Sequence, residues 1–405
     1  MSFRLALSGL NAASTDLAVT ANNIANTGTV GFKGSRAEFA EVYSVSAQGV
    51  STSAVGNGVR VADVAQQFKQ GNIDWTGNAL DLAMSGQGFF ILSDNGAQVF
   101  TRAGAFQVDR EGYVVNSSNQ RLQTFPPTPG GGFNTGTLSD LRLVTSESAP
   151  TATSAVELTL NLPANATAPI NSPFDVTDPD SFNHSTSMTI YDSLGAAHTA
   201  TVYYSKTANV NEWEQRLYVD GTAVGAAQTL QYSNTGQLTT PANGLVAYPA
   251  YTPATGAAPI TLNLDLSDTT QYGSSFAVNA IVQDGYTTGR LIGIDTDASG
   301  IVQARFTNGR SEPLGQIALA QFSNPNGLQQ LGDTNWGETF TSGQALRGAA
   351  GNAGLGLIQS GALEASNVDI TEQLVNMITS QRNFQANAQM ISTSDQVTQT
   401  IINIR

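Results

Sequence analysis

Phe3, Leu10, Leu17 and Ile24 recur at seven-residue intervals near the start of the chain, and Ile370, Met377, Phe384 and Ile391 do the same near its end. Leu374, Ala388 and Ile402 widen the second line into a stripe. A seven-residue apolar repeat is what helices need to pack side by side along a seam. The pattern predicts a helix over residues 2–26, stopped by Asn22, Asn23, Asn26 and Gly28. It predicts a second from about residue 367 or 368, with Asp369 and Glu372 where the helix dipole favours acids. At about 1.5 Å per residue the first rod is roughly 37 Å long. Its other face is small and polar, from Ala12 to Ala21, and only Arg4 and Asp16 are charged in residues 1–30. The plain reading of such a stripe is the core-facing side of a helix. A solitary surface helix, however, wears Lys and Glu on its wet side. Two bare helices at opposite ends of one chain point to pairing with each other or with further copies.

Between the helices the period changes. Gly28, Gly31 and Gly34 punctuate the chain around Phe32 and Lys33, and residues 27–72 read as an irregular connector with one strand-like piece at 59–64. From Ile73 the pattern is β, with short strands at 80–84, 88–92 and 113–115 and a turn at Asp94-Asn95-Gly96. Beyond a composition shift at 145–153, Val156, Leu158, Leu160 and Leu162 alternate with polar residues, and the chain to about 284 reads as a separate antiparallel β domain. The predicted fold is mainly β with terminal α-helices that pair as a coiled-coil-like inner domain, with nested β domains further out. The boundaries expected are 1–26 with 366–405 for the helical domain, and 27–72 with 345–365 for the connector. An inner β domain takes 73–147 with 286–344, and an outer β domain takes 148–285.

Composition narrows the function. Charged residues are 12% of 405, and the net charge is −14 with three lysines, Lys33, Lys69 and Lys206. Soluble domains usually carry about a quarter charged residues. Nucleic acid and anionic membrane surfaces both call for basic clusters, which the sequence lacks, so neither is expected as a partner. There is no cysteine, which excludes disulfides, thiolate metal sites and cysteine nucleophiles. No run of eighteen apolar residues is present to span a bilayer. Residues 1–11 are interrupted by Ser8, Gly9 and Asn11 before an apolar run develops, so export, if it occurs, is expected without a cleaved signal peptide.

Candidate chemistry is sparse. Asp295-Thr-Asp297-Ala-Ser299-Gly300 opens like a calcium loop, but Phe306 stands where a bidentate Glu is needed, and a hairpin turn is the reading. The glycine run at 351–356 lacks the Lys-Ser or Lys-Thr of a phosphate loop and reads as a flexible connector. His184 and His198 show no triad spacing and read as surface or loop residues. Asp178 and Asp180 flank Pro179 in a turn context. No catalytic residue, cofactor or metal is expected, and the chain reads as a non-enzyme.

The ends carry a more specific signal. Asn22-Asn23-Ile-Ala-Asn26-Thr-Gly-Thr-Val-Gly31-Phe32-Lys33 resembles the N-terminal motif of the flagellar rod, hook and hook-associated axial proteins. Gly361-Ala-Leu-Glu-Ala-Ser-Asn-Val-Asp369 and Gln381-Arg382-Asn383-Phe384-Gln-Ala-Asn-Ala388 resemble the family's C-terminal pattern. Asp81-Leu-Ala-Met-Ser-Gly-Gln-Gly-Phe-Phe90 occurs in rod and hook members alike, and Phe174-Asp-Val with Met188-Thr-Ile-Tyr-Asp192-Ser-Leu-Gly195 is similar to the hook type's outer domain. The resemblance implies a structural subunit that polymerises with itself into a hollow, curved, flexible tube in the bacterial flagellum, outside the cell. The tube joins rod to filament as a universal joint. The implied partners are the distal rod protein, the hook cap protein, the hook-filament junction protein and the flagellar type III export apparatus. A distal-rod-like or junction role uses the same ends, and a glycan-active β enzyme is the alternative of a different class.

Overall fold

The computed structural model describes residues 2–42, 56–143, 147–352 and 354–403. Two long helices occupy the chain ends: α1 spans Ser2–Ala25 and α2 spans Ile370–Asn403. The Asp369 carboxylate accepts from the Thr371 and Glu372 amides at 2.7 and 3.1 Å, satisfying donors that an uncapped first turn leaves free. Among the described residues, what lies between the helices is strand, turn and loop, with single 3-10 turns at Pro179–Ser181 and Pro325–Gly327. The chain divides into two compact units, one of residues 1–145, 293–305 and 311–405, the other of 146–292 and 306–310.

The first unit is built from two separated pieces of sequence. Its large sheet runs through Ser311–Ile317, Arg121–Phe125, Phe89–Asp94, Ala97–Thr101, Asn335–Gly337 and Gln329–Gly332. Early and late strands therefore pair directly, as in Gln316 opposite Phe125 and Trp336 opposite Phe100. Phe89, Phe90, Ile91 and Leu92 are buried in succession, because this strand has a core on each face. Two small ladders close the unit, Leu357–Ser360 on Leu82–Ser85 and Ala362–Glu364 on Ile73–Trp75.

Several expectations change here. Residues 27–72 are less irregular than their glycine content implies. Ser35–Glu41 pairs antiparallel with Val59–Gln66, bulged at Glu38/Phe39, and the loose segment 43–55 lies outside the described residues. The glycine run begun at Gly351 is closed by a hydrogen bond from the Gly351 amide to the Gly356 carbonyl at 3.1 Å and is packed at its Leu355–Gly356 end. A Cβ on Gly356 would sit 2.5 Å from the Ser85 carbonyl oxygen, and Leu355 beside it is buried. The segment Asp295–Gly300 is the hairpin turn expected. The Asp297 carboxylate is taken up by the Ser299 and Ile301 amides at 2.9 Å each and by the Ser299 hydroxyl at 2.7 Å.

The second unit holds two five-stranded sheets around one core. One is a meander of His184–Tyr191, Ala197–Lys206, Glu212–Val219, Thr222–Tyr232 and Leu238–Thr240. The other centres on Ala155–Pro163, where Val156, Leu158, Leu160 and Leu162 all point inward, as their alternation requires. This sheet is not purely antiparallel: Ala155–Pro163 pairs parallel with Asn263–Asp265 and Thr270–Tyr272. Alternation reports which face is buried but carries no strand direction. Both histidines lie in strands, not on surface loops, and His198 is buried. Leu160 is fully buried in this core, so Leu160→Ala should cost about 2–5 kcal/mol. Hydrogen exchange on the full chain should show faster opening throughout 147–292.

Candidate assembly surface and the cluster that anchors it

The α1–α2 seam is narrow, and polar side chains set its register. Three rungs define it. A Cβ on Gly9 would lie 2.5 Å from Asn387 Oδ1, the Ser380 hydroxyl donates to the Asp16 carboxylate, and Asn23 Nδ2 donates to Gln373 Oε1 at 3.2 Å. Each step moves seven residues forward along α1 and seven back along α2. The helices are therefore antiparallel in a heptad register. On α1 the seam runs Ala6, Gly9, Ala13, Asp16, Thr20, Asn23, spaced alternately by three and four, and Ala6, Ala13, Thr20 and Asn23 are buried. On α2 it runs Met377, Ser380, Phe384, Asn387, Ile391, and Ser380 is buried while the other four are half-buried. The register sets Phe384 level with Ala13. Small residues on one rod admit the large ones of the other.

The predicted stripes divide across this geometry. Met377, Phe384 and Ile391 sit in the seam, and Ala388 beside them is half-buried. Phe3, Leu10, Leu17 and Ile24 do not form it. They flank it one residue round the helix, Phe3 at 49% exposure and the other three half-buried. Ile370, Leu374 and Ile402 face outward, joined by Val375, Ile378, Met390 and Val397, all at 46% exposure or more. The physical reason is that a heptad holds two lines. The bulkiest line is the most visible in sequence, but the closest approach of two backbones selects the smallest.

The asparagine motif is a fold-back joint. At the end of α1, Asn26 Nδ2 donates to the Asn22 carbonyl at 3.0 Å and Asn26 Oδ1 accepts from the Thr29 hydroxyl at 3.1 Å. Asn23 pairs with the Ser35 backbone in both directions, at 2.7 and 2.8 Å. Gly31 has φ +68°, and a Cβ there would lie 2.4 Å from the Ala103 nitrogen, so only glycine fits. Phe32 is half-buried. Asn367 ties the entry to α2, accepting from the Gly34 amide at 2.8 Å and donating to the Gln67 and Lys69 carbonyls at 2.6 and 3.0 Å. Gln381, Arg382 and Asn383, by contrast, are exposed on α2.

Beneath the joint lies a buried ion cluster. The Lys33 ammonium meets Glu364 Oε1 at 2.6 Å, both side chains fully buried, and also donates to the Lys69 carbonyl at 2.9 Å. Arg102 reaches Glu364 Oε2 at 3.3 Å and the Gly86 carbonyl at 2.9 Å. The Gly71 amide donates to the same carboxylate at 2.9 Å, and the Glu364 carbonyl accepts from Gly31 at 2.8 Å. Burial pulls the Lys33 and Arg102 pKa values down, and attraction to Glu364 offsets part of that fall in each. Each Glu364 carboxylate oxygen is held by fixed donors, Oε1 by Lys33 and the Gly71 amide and Oε2 by Arg102. Among the described residues, no group of three or more His, Cys, Asp or Glu could hold a metal ion. Sequence reading singled out Lys33 but missed Arg102, Glu364, Asp16, Ser380 and Asn367. The available signal was their isolation: Glu364 is the only acid in residues 351–368.

Four family models match the chain. They are described as flagella basal body rod protein at residues 3–33, flagellar hook protein FlgE/F/G D1 domain at 83–172, flagellar basal body protein FlaE D2 domain at 161–286, and flagellar basal body rod FlgEFG protein C-terminal at 359–404. The chain is 38% identical to the flagellar hook protein FlgE of Escherichia coli K12 and 39% identical to that of Salmonella typhimurium, with all of both chains covered each time. It is 35% identical to the hook protein of Borreliella burgdorferi over 98% of each chain. The fold is similar to the crystal structure of Helicobacter pylori flagellar hook protein FlgE2, with a TM-score of 0.54 and 15% identity, over 72% of this chain and 100% of that one.

Removing the Glu364 charge leaves Lys33 and Arg102 buried without a counter-ion. Glu364→Gln should therefore destabilise the first unit by about 3–5 kcal/mol. Denaturant melts followed by hydrogen exchange should locate the loss outside residues 147–292. At the seam, Gly9→Leu should separate α1 from α2, and Asn387→Ala in the same chain should partly restore the pairing. Spin labels on cysteines introduced at the exposed positions Ser14 and Gln381 would read that distance.

Proposed function

The chain belongs to the flagellar hook protein family and is a structural subunit of the bacterial flagellar hook, a premise from which we propose how its residues build and bend that structure. The observation that carries the reading is the uncovered apolar surface on both terminal helices. Pairing through small and polar residues leaves Phe3, Leu7, Ile370, Leu374, Val375, Ile378, Met390, Val397 and Ile402 open to solvent in the single subunit. A lone soluble protein gains nothing from such surfaces, whereas copies stacked side by side bury them. We assign residues 1–26 and 366–405 to the wall of a hollow tube. Residues 27–72 with 345–365 form a connector, 73–147 with 286–344 an inner β layer, and 148–285 the outer surface. Phe3, Leu10, Leu17 and Ile24 act in polymerisation with Ile370, Leu374, Met377, Phe384, Ala388, Ile391 and Ile402. Gln381, Arg382 and Asn383, exposed on α2, meet neighbouring copies.

Bending then has a physical basis. Each protofilament in a curved tube must shorten on the inside of the curve and lengthen on the outside, but close packing resists continuous deformation. Helices of neighbouring copies slide past one another where the facing side chains are small, while the Lys33–Glu364–Arg102 cluster keeps each subunit's two ends joined as they do. Torque passes from rod to filament through this universal joint. The thin α1–α2 seam suits passage of an unfolded chain through the flagellar type III export apparatus, without signal cleavage, and assembly under a cap protein between the distal rod and the hook-filament junction. Among the described residues no helix is long and apolar enough to cross a membrane. The subunit acts as a building block and not as an enzyme.

Leu10→Asp and Phe384→Asp should each abolish polymer formation, and so should Ile378→Asp, which lies outside the seam. Sedimentation and electron microscopy would score the polymer, and circular dichroism would show the β units intact. Curved tubes and motility surviving in all three variants would overturn the assignment of the helices to the tube wall.

A further inference from the structure

His198 lies at one end of the second unit, where three connections gather. It sits at the start of strand Ala197–Lys206, opposite Ile190. Its Nδ1 faces Asp220 Oδ2 at 2.6 Å and its Nε2 faces Asp192 Oδ2 at 3.2 Å. Asp192 follows the strand His184–Tyr191 and opens the turn into His198's own strand. Asp220 occupies the two-residue turn between Glu212–Val219 and Thr222–Tyr232, at φ +48°, followed by Gly221 at φ +77°. The loop after residue 248 supplies the third arm. The Tyr251 hydroxyl donates to Asp220 Oδ2 at 3.4 Å, Thr255 donates to Asp192 Oδ2 at 2.8 Å, and the Ala258 amide donates to the Ser193 hydroxyl at 2.9 Å. The Tyr251 ring stands edge-on to the imidazole, centroids 6.1 Å apart. The titratable groups facing His198 are thus Asp192, Asp220 and Tyr251.

A neutral imidazole has one N–H and one bare lone pair, whereas an imidazolium has two N–H donors. Both ring nitrogens here face carboxylate oxygens, so only the protonated ring satisfies both contacts. The two carboxylates differ in their independence of it. Asp192 is fully buried and held by three other donors: Thr255 and the Leu194 and Ala196 amides, the last two at 2.9 Å. Asp220 is 41% exposed at a hairpin tip; apart from His198, its carboxylate accepts, among the described residues, only from the Thr199 amide at 2.9 Å and from the Tyr251 hydroxyl at 3.4 Å.

We propose that His198 is a proton-operated clamp: protonated, it ties the Asp220–Gly221 turn, and through Asp220 the Tyr251 side of the 251–255 loop, to the Asp192 turn; deprotonated, it keeps its remaining N–H on buried Asp192 and loosens the exposed Asp220 arm, which then rests on the Thr199 amide. The direction of titration agrees. Burial pushes His198 toward lower pKa, but its bonds and attraction to Asp220 and Asp192 outweigh that and raise it. Burial likewise opposes ionisation of Asp192, yet the Thr255, Ala196, His198 and Leu194 donors hold its carboxyl at about 2. A histidine raised above its unfolded value, about 6.5, contributes its full stabilisation below that value. The contribution is lost as pH rises through the higher folded value, so the clamp opens above the ordinary histidine range. It depends on no reading of the terminal helices.

The test is a histidine-labelled NMR titration of the full chain, with hydrogen exchange at each pH. His184 serves as an internal reference, because it stacks on Phe276 with centroids 4.4 Å apart and burial lowers its pKa. His198 should titrate above 6.5 and above His184, and protection at 220–222 and 251–255 should fall through that transition beyond the intrinsic base-catalysed rise. Asp220→Asn, which tolerates the turn's positive φ, should move the His198 titration down by about one pH unit or more. His198→Gln should remove the pH step from both segments. The clamp is overturned if His198 titrates at or below His184, if Asp220→Asn leaves its titration in place, or if protection is flat through its transition.

Discussion

The Glu364 carboxylate is the point on which the first unit depends. One buried anion collects an ammonium from Lys33, a guanidinium from Arg102 and an amide from Gly71, and its own backbone carbonyl holds Gly31. These donors come from parts of the chain far from residue 364, so the first and last segments are fastened at one place. A buried charge without a partner is costly, and a buried pair is worth keeping chiefly for the geometry it enforces. Here that geometry is the joint from which both terminal helices depart. Asn23 and Asn367 extend the same fastening by hydrogen bonds to the backbone on either side.

With the joint fixed, the helix pair can afford a weak seam. Gly9, Ala13 and Thr20 bring the backbones close, and the Asp16–Ser380 and Asn23–Gln373 rungs set register more than they add apolar burial. Polar groups at seam positions specify alignment at some cost in stability. The bulky residues are left outside or half-covered, which is the disposition a subunit needs if its largest hydrophobic gain is to come on meeting copies of itself. In the proposed assembly, single-subunit stability and polymer stability are separated: the first rests on the β cores and the ion cluster, the second on the outer faces of α1 and α2.

Much of the architecture was legible before any coordinates. Period seven at the ends and period two in the middle identified the helices and the inward faces of strands such as Ala155–Pro163. The Asp297 turn was readable because turn chemistry is local. The corrections share a cause. Residues 59–64 were read as strand-like, but their partner Ser35–Glu41 was read as loose connector because it is mostly half-buried or exposed and shows weak alternation. The parallel pairing in the second unit was missed because direction leaves no mark on burial. The glycine run at 351–356 looked flexible, although Gly356 is there for close backbone approach.

By itself, the sequence determined a mainly β chain with helices at both ends, the inward residues of its regular strands, and, through the Asn22–Lys33 and Gln381–Ala388 motifs, its kinship to the flagellar axial proteins. Those properties are periodic or contiguous, and a linear string records them. Tertiary structure alone decided that the small line of α1, not its bulky one, meets α2, that Lys33 belongs with Arg102 and Glu364, and that His198 lies between two aspartates. Each of these joins residues that the chain separates, in the widest case by hundreds of positions. Their proximity follows from packing the whole fold at once, which no local pattern encodes.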